Sequence, residues 1–348
     1  MHLHLAAVFS LLPLIAHSLP AQACFKSGMD AKAAPSVSSS SSGTPVSTMA
    51  ADPAKICADW FEAAIAGNAA KMASLMADHP IDVDAHDPLH FHGTALNYAA
   101  IHGHADVVKL LLKHRANKEL IPGYDTMGTM SSFMLATWRG KWATAELLLK
   151  AGANIHEKSS RDFTALQEAC EAVDETDAGF IRLLIDAGSD VNAIDVCSGS
   201  VLMRCARHRN AEAVRLLIDA GADLSYRTYV SDVHVGYSAV SKYSGGTENL
   251  DLLLGHGVDF LTPNKHGITP LMEAAKFYLQ SLQSHSSHHN LPQIAWLLKH
   301  GATLPDELPP GIEIKYAERF PEVIDAAKRL NATASTSIGG ATSSSSGS

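Results

Sequence analysis

Three imidazoles fall within five residues, His285, His288 and His289 in "HSSHH", and form the densest set of potential metal ligands in the chain. Imidazole nitrogen binds zinc, copper or haem iron readily. A working metal site also needs fixed geometry and partners that orient the rings. This stretch is polar and Ser-rich, so it reads as a solvated loop and not as a native centre. "DAHDPLHFHG" (84–93) gathers His86, His90 and His92 with Asp84 and Asp87 in a turn, and the same reading applies. The five cysteines, Cys24, Cys57, Cys170, Cys197 and Cys205, match neither a zinc spacing nor a dense disulfide framework. A Cys24–Cys57 bridge is open to the chain in an oxidising compartment, without being required. No phosphate-cradling glycine loop, nucleophile elbow or zinc-protease helix motif occurs. The expectation is a non-enzymatic chain with no cofactor and no resident metal; metal or haem handling through the His-rich loops is the weaker alternative.

The elements around these residues are short and recurrent. "AAIHGHADVVKLLLKHRAN" (Ala99–Asn117) has a helical pattern that stops at Gly103-His104, restarts for about two turns and stops again. Its ending returns as "AELLLKAGANI", "IRLLIDAGSDVN", "VRLLIDAGADL", "LDLLLGHGVDF" and "IAWLLKHGATL". The glycines that mark these endings, Gly152, Gly188, Gly221, Gly257 and Gly301, lie 36, 33, 36 and 44 residues apart. A period near 33 residues is the mark of a repeat array. Each short helix is too small to bury its apolar face alone, so each pair must stack on the next.

The rest of the chain frames that array. At 348 residues and 46% hydrophobic, it can bury an extended core. A formal charge of −9 argues against nucleic acid, which demands clustered Lys and Arg. No apolar run is long enough to span a membrane as a mature helix. Residues 1–23 read as a signal peptide, with the apolar core "LAAVFSLLPLIA" and a small-x-small site at Ala21-Gln22-Ala23. That makes the protein secreted or periplasmic. The competing reading starts translation at Met49 and leaves the array cytoplasmic. Residues 24–52 are expected to be a Ser-rich linker, 53–310 the array, 311–330 a capping helix, and 331–348 a disordered Ser/Gly-rich tail.

The repeat resembles the ankyrin family. "GITPLMEAA" (Gly267–Ala275) fits its helix opening, and "GTALNYAAIHGHADVVKLLLKHRANKE" (Gly93–Glu119) fits a whole unit. Thr94, Thr164 and Thr269 stand where a hydroxyl caps a helix, and Pro270 stands in the first turn. Gly67, Gly103 and Gly140 stand where a left-handed residue ends the first helix. Cys170 and Cys205 occupy the family's small Ala slots and are expected to be buried packing residues. His104, in the Gly-His slot, is expected to bond locally to backbone.

The resemblance implies an all-α ankyrin-repeat solenoid of about seven helix–turn–helix units, with β-hairpin-like turn fingers and degenerate ends. It also implies a monomeric scaffold whose first-helix tips bind a folded protein partner. In this sequence the implied positions are Ile101, His102, Trp138, Arg139, Arg207 and His208. The long turn 225–237 adds Tyr226, Arg227 and Tyr229, and the turn before the third unit adds Tyr124. Trp, Tyr and Arg are the residues most often dominant in interfaces.

Overall fold

A threonine or serine followed by small and apolar residues opens most first helices, and the local hydrogen bonds show why. In α3 (Ala95–His102) the Thr94 hydroxyl accepts from the Asn97 N–H at 3.2 Å, while the Asn97 side chain accepts from the Thr94 N–H at 2.8 Å. Ser131 caps α5 (Ser132–Trp138) in the same way, and Thr269 caps α13 (Pro270–Gln283), where Pro270 sits in the first turn. Thr164 Oγ1 accepts from the Gln167 N–H at 3.3 Å. Each cap satisfies a backbone donor that the helix itself leaves open.

The computed structural model describes residues 24, 52–88, 92–121, 130–159, 162–171, 178–208, 210–229, 232–240, 247–284, 290–309, 312 and 314–339. The expected signal peptide (1–23), the Tyr124 finger, His90, and His285, His288 and His289 all lie outside them, as does the linker apart from Cys24 and Asp52. Residue contacts divide the chain into two units, 1–154 and 155–348.

The first unit holds three helix pairs: α1 (Pro53–Ile65) with α2 (Ala69–Asp78), α3 with α4 (Ala105–Lys113), and α5 with α6 (Trp142–Lys150). The first helices pack in chain order, α1 on α3 and α3 on α5. Ala63, Ala64, Ala99 and Ala100 on these helices are all buried, and side chains this small permit a close approach. Of the leucine triplet 110–112 only Leu111 is wholly buried, and of 147–149 only Leu148. The triplets therefore supply one core residue each, not three. Successive turns are tied by single hydrogen bonds one period apart. Asn117 N–H donates to Asp84 Oδ1 at 2.7 Å, and Asn154 N–H to Glu119 Oε1 at 3.2 Å.

The second unit holds four pairs: α7 (Ala165–Glu171) and α8 (Ala178–Asp186), α9 (Val201–Ala206) and α10 (Ala211–Asp219), α11 (Val235–Ala239) and α12 (Glu248–Gly255), α13 and α14 (Leu291–Lys299). α15 (Ile314–Ala317) and α16 (Phe320–Gly339) follow, and α16 packs on α13 and α14. The degenerate sixth repeat is anchored from its second helix. Asn249 Nδ2 donates to the carbonyls of Ala206, at 3.2 Å, and His208, at 2.6 Å. In the seventh repeat the first helix is longer than in the others, and α13 runs to Gln283. No glycine interrupts "KFYLQSLQ", and Leu279 and Ser281 are buried. The tail expected from residue 331 begins as helix: α16 runs past Leu330 to Gly339, and Asn331 Nδ2 donates to Ala295 O at 2.7 Å. The turn fingers close as isolated antiparallel bridges, His86–Thr94, Lys158–Thr164 and Ile194–Ser200.

Two disulfides form: Cys24–Cys57, the bridge open to the chain from its sequence, and Cys170–Cys205. The second corrects the packing-residue expectation. The Ala slots are where consecutive first helices come nearest, so two thiols placed there meet, with Cα atoms 4.7 Å apart. Cys197 remains a free, exposed thiol.

Candidate protein-binding surface

In the first unit the surface is built at the helix tips. α3 ends at Gly103, whose φ of +80° is the left-handed turn that releases the chain into α4. His102 is therefore brought to the rim, half-buried and stacked on His104 with ring centroids 5.7 Å apart. Burial is the first cause that pushes the His102 pKa below the usual histidine range; His104, Arg139 and Lys141 push it the same way. The His104 backbone bonds locally, its N–H donating to Ala99 O at 2.9 Å, but its ring does not. Its Nε2 lies 2.8 Å from the carbonyl of Ile65, one repeat earlier. Trp138 and Arg139 close α5, both half-buried, with the guanidinium 4.9 Å from the indole centroid. Ile101 belongs to the core instead: it is 3% exposed. Its neighbour on the helix faces out, and a single residue step along α3 turns the side chain by about 100°.

In the second unit the candidates separate. His208 is buried, 5% exposed, and its pKa is lowered, chiefly by that burial. It sits beneath the rim because α9 is short and its end is held by Asn249 from α12. Arg207 is half-exposed and pairs with Glu171 at 3.5 Å. The finger keeps its expected character at Tyr229, which is 77% exposed. Tyr226 folds back, its hydroxyl donating to Ser198 O at 3.0 Å, and Arg227 pairs with Asp232 at 3.3 Å.

Arg207 also lines a cavity of about 300 Å³ with Val233, Tyr237, Ile268, Lys276 and Phe277. Apart from Arg207, none of these was singled out from the sequence. Their signal is weak: Tyr237 and Phe277 fall inside first helices, where an aromatic residue usually means core. Tyr237 shows the mixture, since its hydroxyl donates both to Ile268 O at 2.6 Å and to Thr262 O at 3.1 Å. A larger cavity, about 740 Å³, lies between α14 and α16, lined by Leu298, Leu304, Ile324 and Lys328 among others. It lies away from the helix tips.

Among the described residues, no helix is long and apolar enough to cross a membrane, and no group of three or more His, Cys, Asp or Glu is placed to hold a metal.

The family model "Ankyrin repeats (3 copies)" matches residues 60–159 and 133–228. This is an ankyrin repeat protein. The chain is 32% identical over 113 residues to the Ankyrin repeat and KH domain-containing protein mask-1 of Caenorhabditis elegans, a stretch covering 32% of this chain. It spans only about 4% of the length of the curated relatives it matches. Among solved structures, the human ASB11 ankyrin repeat domain aligns with a TM-score of 0.51 at 19% identity, covering 62% of this chain and 90% of that one. A chain from the Bd0816 predatory endopeptidase of Bdellovibrio bacteriovorus in complex with the immunity protein Bd3460 aligns with a TM-score of 0.49 at 25% identity, covering 57% of this chain and 97% of that one. The ASB11 likeness concerns the fold: an all-α ankyrin-repeat architecture. Ankyrin repeats make a protein-interaction scaffold, and that is the general character of this chain.

Proposed function

We propose that this ankyrin repeat protein is an exported, non-enzymatic scaffold that holds a folded protein partner on the tips of its first helices. Trp138 and Arg139 anchor the contact in the first unit; Arg207 and the Tyr229 finger form a separate candidate contact in the second. One observation carries the choice of surface. Trp138 stays half-exposed at a helix end, although wholly buried aromatic positions exist nearby at Trp60, Tyr98 and Phe133. A large aromatic side chain kept at a rigid rim offers contact area at low entropic loss on binding.

Export is supported by the two disulfides, which form and persist in oxidising compartments. The alternative cytoplasmic start at Met49 removes Cys24 and leaves Cys57 without its bridge. Sequencing the amino end of the native protein tests this: a start at Cys24 supports export, and a start at Met49 overturns it.

The surface is tested by affinity capture from the native compartment, with Trp138→Ala as the control. Loss of the captured protein at unchanged melting temperature supports the assignment. A drop in melting temperature with capture intact makes Trp138 a packing residue and removes it from the surface.

A further inference from the structure

The tips of the first unit carry two cations, Arg139 and Lys141, that no carboxylate among the described residues meets. Lys141 stands at the N-cap of α6 and His104 at the N-cap of α4, and neither side chain makes a capping hydrogen bond. Asn68 and Asn210, at the same place in other repeats, do cap, accepting from Lys71 N–H and Ala213 N–H. A cation at a helix amino end also opposes the helix dipole. The side chains are spent elsewhere. Lys141 lies along Gly103, where an added Cβ would come 2.8 Å from its Cδ; the His104 ring lies on Gly67, where the added Cβ would be 2.5 Å from Nδ1. Each side chain is thus laid across the turn of the preceding repeat.

Arg139 makes the case sharper. Several arginines elsewhere find acids: Arg204 and Arg207 meet Glu171, Arg215 meets Glu212, and Arg227 meets Asp232, whereas Arg115 and Arg329 show no such pair among the described residues. Among the described residues Arg139 and Lys141 form no ion pair. Arg139 is half-buried as well, over the Trp138 ring. A guanidinium drawn partly out of water without a carboxylate is an unfavourable arrangement that an incoming acid relieves. After burial, the neighbours that lower the His102 pKa include Arg139 and Lys141, both positive. The local field is therefore positive on a chain whose formal charge is −9.

We propose that this patch seats an acidic segment of a protein partner, with Asp or Glu carboxylates on Arg139 and Lys141 beside Trp138. The inference rests on the protein-binding reading above and names the chemistry of the partner. A duplex or a membrane surface is disfavoured, because both reward long rows of cations and this patch is local.

The test uses the full chain and a labelled Glu-rich peptide, with a Gln-rich peptide of equal length, duplex DNA and phosphatidylserine vesicles as competitors. The expected result is preference for the Glu-rich peptide, weakened by salt. Arg139→Gln is expected to weaken it about tenfold or more, the scale of one charge-assisted fork. Arg139→Lys restores part of the affinity, and Lys109→Gln, on the exposed side of α4, leaves it unchanged. Equal binding of the Gln-rich peptide, tighter binding of DNA or vesicles, or an unaffected Arg139→Gln variant overturns the proposal. So does a captured native partner that Arg139→Gln retains in full, a result that leaves the scaffold reading standing. Failure to capture any protein while the peptide still binds overturns the scaffold reading instead.

Discussion

Cys170 and Cys205 are bonded sulfur to sulfur across the first helices of two successive repeats, 35 residues apart in sequence. Both flank charged residues that also pair, Glu171 and Arg204. The covalent and ionic links therefore close the same joint. A loop of this length restricts the unfolded chain by about 3–4 kcal/mol. Cys170→Ala with Cys205→Ala is expected to lower the unfolding free energy by that order, measured by urea titration. A variant as stable as the parent would show that the helix contact alone sets the joint. Thiol titration of the denatured, unreduced chain is expected to find Cys197 alone.

Arg204 is the buried centre of that joint. Its Nε donates to Asp195 Oδ2 at 2.8 Å and its Nη2 to the same oxygen, and the guanidinium lies 3.8 Å from the Phe163 ring centroid. The Asp195 side chain is fully shielded from water. Arg204→Met keeps the bulk but strands that carboxylate, a loss of about 3–5 kcal/mol for a buried pair broken on one side. Chemical denaturation measures it, and a loss below about 1 kcal/mol, the scale of an exposed pair, would mean that Asp195 rehydrates.

Leu111 is the single wholly buried leucine of its triplet. Leu111→Ala is expected to remove about 2–5 kcal/mol, the range for a large-to-small change in a packed core. Leu112→Ala, half-exposed, is expected to lose much less. Equal losses at the two positions would mean that the phase of α4 is misassigned.

Acid should loosen the second unit through His234. Its Nδ1 accepts the Gly236 N–H at 3.1 Å, and burial pushes its pKa down to about 4, with Arg227 adding to the depression and Asp259 and Asp232 opposing it. The unfolded side chain titrates near 6.5. The folded state therefore favours the neutral ring, and its stabilising contribution is complete above about pH 6.5 and lost as pH falls towards 4. The urea midpoint is expected to drop between pH 7 and pH 5, and His234→Gln to flatten part of that drop. His102 and His208, also depressed by burial, account for the remainder. A wild-type midpoint independent of pH over this window would contradict the neutral buried ring.

The repeat period, the caps at Thr94, Thr164 and Thr269, and the turn glycines were legible because each is a local requirement of backbone geometry. Trp138 and Arg139 at a helix tip followed from the family pattern. Ile101 and His208 did not behave as rim residues, because rim or core is settled by a single step along the helix and by which neighbour covers it. The Cys170–Cys205 bond was hidden for a related reason. Both residues were read correctly as small and buried, but facing positions in adjacent repeats are a tertiary relation that the spacing of 35 states only once the stacking is known. Lys141 is not legible as a rim cation because the slot after the helix-ending glycine reads as structural; what marks it is the absence of a capping side chain where Asn68 supplies one.

The two bridges also govern how the protein yields under tension. Cys24–Cys57 and Cys170–Cys205 enclose separations of 33 and 35 residues. When the chain is pulled from its ends, each closed loop withholds roughly 120 Å of contour length. A tethered molecule stretched before and after reduction should differ in full extension by about twice that amount. Torn between two anchors, the oxidised protein would give way everywhere outside residues 24–57 and 170–205.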